Sequence, residues 1–214
     1  MGVVTSGRMS QQPETSGVDV YTAEISTAAD AMASLAGTVR PDALDRPTPC
    51  DGTDVGSLLT HVIGLSAAFG AAGRKEFGPL TDTPPDPSAA GALPESWMAD
   101  LTAGLGDLVQ SWRAPSAWEG MTRAGGVEAP AEVLGTVALS ELVLHGWDLA
   151  RALGLDYDVP DAVLQPVFDL HHPPQPQSER EGMFGPVVEV PDDARLLHRL
   201  VGVAGREPFW PRSS

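Results

Sequence analysis

Cysteine is almost missing from this chain. Cys50 stands alone, so no disulfide can form within it and nothing points to an oxidising compartment; a cytoplasmic location is the default expectation. Lysine is equally scarce: Lys75 is the single example, and every other basic residue is arginine, a bias expected of codons rich in G and C. Positive charge as a whole is short, with 13 basic against 29 acidic residues and a net charge of -16, which repels nucleic-acid phosphates and anionic membrane surfaces. Uninterrupted apolar runs are short too, none approaching the roughly 18 residues of a membrane span, and the opening MGVVTSGRMSQQPETSG has no apolar segment of a secretory leader. Phosphate-cradling glycine loops, a nucleophile elbow and paired zinc-ribbon cysteines are absent, which argues against nucleotide-dependent and serine-hydrolase chemistry.

With 42% hydrophobic residues the chain can build one sizeable core. Residues 1–17 are polar and aperiodic and read as a flexible tail. Between Val18 and Val39, Val20, Ala23, Ile25, Ala28, Ala29, Met32, Leu35 and Ala36 recur at mostly helical spacing, and Pro41 ends the pattern. The loop LDRPTPCDGTD follows, with Asp54 suited to cap a second helix that runs to about Arg74. Gly78 to Gly91, holding Pro79, Pro84, Pro85 and Pro87, reads as a long connection without an element of its own. Pro94 fits the first turn of a third helix with Trp97, Leu101, Leu105, Leu108 and Trp112 on its apolar face. TRAGGVEAP suggests a turn or a short hairpin, and Ala131 to Leu153 forms the most continuous apolar helix, closed by Gly154. Four such helices with one long crossover predict a mainly α, antiparallel four-helix bundle over residues 18–154. Residues 155–214 are expected to pack on it as a small α(+β) appendage: a helix at Asp161 to His171, a Pro/Gln-rich loop, an extended PVVEV at Pro186 to Val190, and a last helix at Asp192 to Val203.

His61 lies among Leu58, Val62, Leu65 and Phe69 on the apolar stripe of the second helix, and Glu141 and His145 share one face of the fourth, four residues apart. A carboxylate inside a bundle is costly unless paired or metal-bound, and two imidazoles facing it supply partners. A His/His/carboxylate set suits a divalent transition metal, zinc first and nickel or iron next, and leaves coordination positions open for water or substrate. The competing interpretation is a satisfied core histidine beside an ordinary i,i+4 Glu–His pair. Asp148 is either a residue orienting a ligand imidazole or one half of a helix-end pair with Arg151. Trp147 reads as core and Cys50 as a buried, inert thiol that alternatively reaches the mouth of the site. His171 and His172, beside Pro173 and Pro174, read as surface residues that at most line an entrance, and His198 as solvated.

The segments TPCDGTDVGSLLTHVIG, SELVLHGWDLARALG and LLHRLVGVAGREPFWP together resemble the mycothiol-dependent maleylpyruvate isomerase-like family, within the broader DinB-like metal-binding bundles. The similarity runs from about residue 18 onward and is closer to an uncharacterised metal-binding branch than to the isomerase proper. The resemblance implies a divalent metal held by His61, Glu141 and His145, and a low-molecular-weight thiol as cosubstrate in transferase or isomerase chemistry on a small electrophile. It also departs from the pattern: relatives commonly carry Trp near position 53, where this chain has Thr53, which alters the wall beside the second helix but not the ligand positions. Small-molecule substrate and thiol are the expected partners, with neither nucleic acid nor membrane, and acidic bundles of this kind often pair into homodimers through an apolar face. A non-catalytic metal- or ligand-binding module is the alternative from a different functional class.

Overall fold

A computed structural model of the chain describes residues 17–83, 93–180 and 184–211, with side chains from Thr22 onward. Residues 1–16 of the expected tail and residues 84–92 of the long connection lie outside the described residues. The first helix, α1, spans Gly17–Ala36 and buries Ile25, Ala28, Ala29, Met32 and Ala36, the stripe its spacing predicts. α2 spans Val55–Arg74; it starts where Asp54 accepts a hydrogen bond from the Ser57 N–H at 2.8 Å and stops where Lys75 turns left-handed at φ 58°. α4 covers Trp97–Ser111 and α5 covers Ala131–Leu153, the latter closed by Gly154 at φ 73°.

The order of contacts fixes the helix directions. Ser66 lies beside Gly104, Asp107 beside Gly70, and Ser111 with Trp112 beside Gly73, so α2 and α4 run parallel, an arrangement that needs the long crossover between them. α1 runs against α4, since Thr22 near its start donates to the carbonyl of Trp112 beyond the end of α4. α5 runs against α2: Thr122, nine residues before the start of α5, donates to the Ala72 carbonyl, while His61 meets Glu141 farther along. Trp112, fully buried, donates its indole N–H to the Phe69 carbonyl at 2.9 Å and stacks edge-on with Trp118, whose own N–H reaches the Trp112 carbonyl. Burial of the leucines around this pair stabilises the fold by roughly 1.5–3 kcal/mol each.

Several boundaries differ from expectation. The crossover contains a four-residue helix, α3 (Pro79–Asp82), because Pro79 presets the first turn and the Thr81 hydroxyl bonds both the N–H and the carbonyl of Gly78. α4 begins at Trp97 and not at Pro94, whose carbonyl closes a turn with the Trp97 N–H. TRAGGVEAP does form a hairpin: β1 (Met121–Ala124) pairs antiparallel with β2 (Val127–Pro130) through Gly125 and Gly126, both at positive φ as a tight two-residue turn requires. Beyond α5, α6 spans Asp161–His171 as expected, and α7 (Gln177–Arg180) interrupts the Pro/Gln-rich loop. PVVEV is not a strand; Val188 bonds the Gly202 carbonyl instead. The last helix, α8, spans Leu196–Val203, because Pro191 to Ala194 close a separate turn first. α6 packs on α5 and α8.

Two helices do have the length and apolarity of a membrane span, α2 and α5, contrary to a reading based on uninterrupted apolar runs. Along their most apolar stretches 56% and 78% of the residues are buried inside the fold, so their apolar character is used against neighbouring helices.

Gly135 tests the tryptophan packing. A Cβ there would stand 2.5 Å from Trp118 and 2.8 Å from Trp112. Gly135→Ala should therefore destabilise by about 1–3 kcal/mol despite the better helix propensity of alanine, read as a lower urea midpoint with an unchanged slope.

Candidate metal and thiol site

His61, Glu141 and His145 come together where α2 and α5 face each other. The His145 Nε2 lies 3.0 Å from Glu141 Oε2 and the His61 Nε2 lies 3.6 Å from the same oxygen, with the two imidazoles edge-to-face at 5.0 Å. One donor atom from each residue falls within 4.8 Å of the others. The separations of 3.0 and 3.6 Å fall on either side of the roughly 3.3–3.4 Å between tetrahedral donors that sit about 2.0–2.1 Å from a common zinc ion. The site is open on one flank: the His61 and Glu141 side chains are 33% and 30% exposed, whereas His145 is 9% exposed.

Asp148 decides how His145 presents itself. It is wholly buried and faces His145 Nδ1 at 3.1 Å on one side and Arg206 on the other, with Arg206 Nη2 to Oδ2 at 3.0 Å and Nε to Oδ1 at 3.1 Å. Burial alone would raise the Asp148 pKa, but the Arg206 charge together with the hydrogen bonds from His145 and Arg206 outweighs it and lowers the pKa, which holds the carboxyl ionised. An ionised carboxylate only accepts, so Nδ1 carries a proton toward Asp148, and Nε2, protonated as well when no metal is bound, donates to Glu141. Burial would lower His145, yet hydrogen bonds from it to Asp148 and Glu141 push its pKa up to about 10. Glu141 is driven below the usual carboxylate range: burial opposes this, and the hydrogen bonds with His145 and His61 prevail.

The other sequence candidates fall out differently. Asp148 takes the imidazole-orienting place and not the helix-end pair, because Arg151 donates to the Trp210 carbonyl at 3.0 and 2.7 Å. Trp147 is core, 2% exposed. Cys50 is half-buried and its Sγ comes within 4.8 Å of donor atoms of His145 and Asp148, so the thiol borders the site where the expectation favoured an inert burial. A cation held by Cys50, His145 and Asp148 would face the Arg206 guanidinium and take atoms already hydrogen-bonded, which argues against that set as a cation site.

His171 is no surface residue: it ends α6 half-buried with Nε2 2.8 Å from Ser140 Oγ, while His172 is exposed and stacks on Phe168. His198 is half-buried against Phe209 instead of solvated. The residue that sequence reading missed is Arg206, since nothing in its local pattern marks it as the partner of a buried aspartate 58 positions away. A surface hollow of about 460 Å³ between the C-terminal ends of α2 and α4 lies elsewhere; there Arg74 pairs with Asp107, and Lys75 donates to the Glu119 carbonyl.

The family model for the mycothiol maleylpyruvate isomerase N-terminal domain matches residues 25–150. The chain belongs to this family. The matched segment includes His61, Glu141, His145 and Asp148 and stops short of His171, Arg180 and Arg206. Two uncharacterized proteins of Mycobacterium tuberculosis, from strains CDC 1551 / Oshkosh and ATCC 25618 / H37Rv, are each 29% identical over 132 residues. Those matches cover 62% of this chain and 66% of each relative, just under two thirds of their length. Among solved structures, the mycothiol-dependent maleylpyruvate isomerase aligns with a TM-score of 0.55 at 17% identity, over 70% of this chain and 67% of that one. A histidine-to-alanine mutant of the isomerase aligns at 0.54 and 16% with the same coverage. At such identity the likeness establishes the mainly helical fold of the family.

His171, which is not one of the three candidate ligands, supplies a pH test. Burial first, then the charges of Arg180 and Arg206, lower its pKa from 6.5 to about 4. Between those values the unfolded chain binds the extra proton and the folded chain does not, so the stability contributed by neutral His171 is present above about pH 6.5 and is lost as the pH falls toward 4. Its ring resonance should titrate near 4, and wild type minus His171→Asn should show a urea-midpoint difference that shrinks over this window.

Proposed function

We propose that this chain is a metal- and thiol-dependent enzyme, in which His61, Glu141 and His145 hold one divalent cation, zinc in the first instance, and a mycothiol-type thiol reacts with a small electrophile. The observation that carries this reading is the convergence of two imidazoles and one carboxylate at a partly open flank, inside the segment matched by the family model. The ion would supply Lewis acidity there, favouring the thiolate of a bound thiol near neutral pH.

The chain's own residues do the remaining work. Asp148 fixes the His145 tautomer and ring plane, and Arg206 keeps Asp148 ionised for that task. Glu141 supplies negative charge between two histidines, and the buried leucines of α2 and α5 keep water from the far side of the site. The exposed flanks of His61 and Glu141 leave room for the thiol and its electrophile. The thiolate sulfur adds to one carbon of an activated C=C bond as its π pair moves onto the neighbouring carbon. In an isomerisation that pair re-forms the double bond and expels the thiolate; in a transfer it takes up the proton the thiol gave up and sulfur stays attached.

Elemental analysis of wild type and His145→Ala, followed by titration of the cobalt-loaded proteins with mycothiol, tests the proposal. One metal per wild-type chain, lost from the variant, together with a thiolate-to-cobalt absorption band, is the expected result. Metal without the band would leave a binding module, and no metal under replete conditions would overturn the reading. Asp148→Asn should weaken metal affinity about 10–100-fold, measured by competition with a chromophoric chelator, with His61 and Glu141 untouched.

A further inference from the structure

His171 stands outside the His61, Glu141 and His145 set, yet its ring is held from two sides. Nε2 lies 2.8 Å from Ser140 Oγ, and the Phe184 ring meets the imidazole edge-on at 5.0 Å. Ser140 is 3% exposed and directly precedes Glu141 on α5. The charges that act on His171 are those of Arg180, Arg206 and Glu141, so the ring is within electrostatic reach of the residues around the candidate metal position.

The Ser140 hydroxyl decides the tautomer. Its one hydrogen bond among the described residues is to His171, unlike Thr136 on the same helix, which donates to the Glu132 carbonyl a turn earlier. Were Nε2 to carry the ring proton, Ser140 would accept it and leave its own O–H buried without an acceptor, which costs free energy. Ser140 therefore donates to Nε2, and the ring proton sits on Nδ1. Burial and the two arginine charges keep the imidazole neutral at pH 7. Nδ1 makes no hydrogen bond among the described residues, and the buried polar atoms without a partner there are Glu24 Oε2, Tyr157 Oη and Arg180 Nε. Solvent therefore reaches the Nδ1–H of His171.

We propose that the Nδ1–H of His171 is the hydrogen-bond donor for the carbonyl oxygen that activates the C=C bond of the electrophile. As sulfur adds to one carbon of that bond, the displaced π pair spreads from the neighbouring carbon onto the carbonyl oxygen. A donor whose ring is fixed beforehand by Ser140 and Phe184 stabilises that charge without reorganising. A neutral imidazole keeps its proton in this role. No bond to nitrogen breaks, and the pair returns to expel the thiolate or takes up the proton of the thiol. The inference rests on the enzyme reading given above and adds to it a residue from outside the segment that the family model matches.

The test uses the zinc-loaded full chain with mycothiol and dimethyl maleate, whose cis-to-trans isomerisation is followed by proton NMR of the vinyl signals. His171→Ala should lose about 100- to 1,000-fold in kcat, the range for removal of one such donor, with KM and metal content unchanged. His171→Asn, whose amide N–H replaces Nδ1–H, should recover part of that loss. His171→Gln, which keeps a partner for Ser140 but has no donor at the Nδ1 position, should stay slow. Long-range proton–nitrogen correlation of the labelled wild type should find the ring proton on Nδ1. A proton on Nε2, or a kcat for His171→Ala equal to wild type, would overturn the donor role and leave the enzyme reading standing. If the alanine variant does not fold, equal kcat in the asparagine and glutamine variants does the same. Wild type that holds metal and mycothiol yet isomerises nothing would overturn the enzyme reading and the donor role together.

Discussion

The Asp148 carboxylate, with no exposure to solvent, is held between an imidazole from its own helix and a guanidinium from near the C-terminus. Much of the molecule depends on that three-membered contact. A buried ion in this position costs several kcal/mol of desolvation, which only well-placed partners offset. Arg206 therefore ties the segment after α8 to the C-terminal part of α5, and the Asp148 carboxylate holds the Nδ1 side of His145. The same carboxylate serves stability and site geometry together, so a change at Asp148 acts on both, and only a measurement at the site separates them.

The remaining geometry follows from how the helices are ordered. The long crossover lets α2 and α4 run parallel, which leaves α2 free to run antiparallel to α5. In that arrangement His61, about two turns into α2, comes level with Glu141 and His145, on either side of the middle of α5. The paired tryptophans at the other end lock the register through Gly135 and the Phe69 carbonyl. Residues after α5 then bring His171 onto Ser140, the neighbour of Glu141, from outside the segment that the family model covers.

The features legible in the sequence are those set by local pattern. The i,i+4 spacing of Glu141 and His145 puts them on one helical face whatever the fold, and the limits of α5 and α6 coincide with their apolar periodicity and with Gly154. The starts of α4 and α8 were less legible, because Pro94 and Asp192 look like helix openings but close turns of their own before the helix begins. His171, Arg180 and Arg206 could not be read at all: arginine and a Pro-flanked histidine are usually solvated, and only tertiary packing buries them. Cys50 lies between these cases, since the loop was legible and the nearness of its thiol to His145 was not.

X-ray absorption at the zinc edge, on zinc-loaded protein before and after addition of mycothiol, tests the central claim most directly. The account predicts a nitrogen and oxygen shell at about 2.0–2.2 Å with two imidazoles before the thiol is added, and a sulfur neighbour at about 2.3 Å afterwards. A sulfur neighbour already present without thiol would make Cys50 a ligand and contradict the open site, and a shell unchanged by mycothiol would contradict the thiol chemistry.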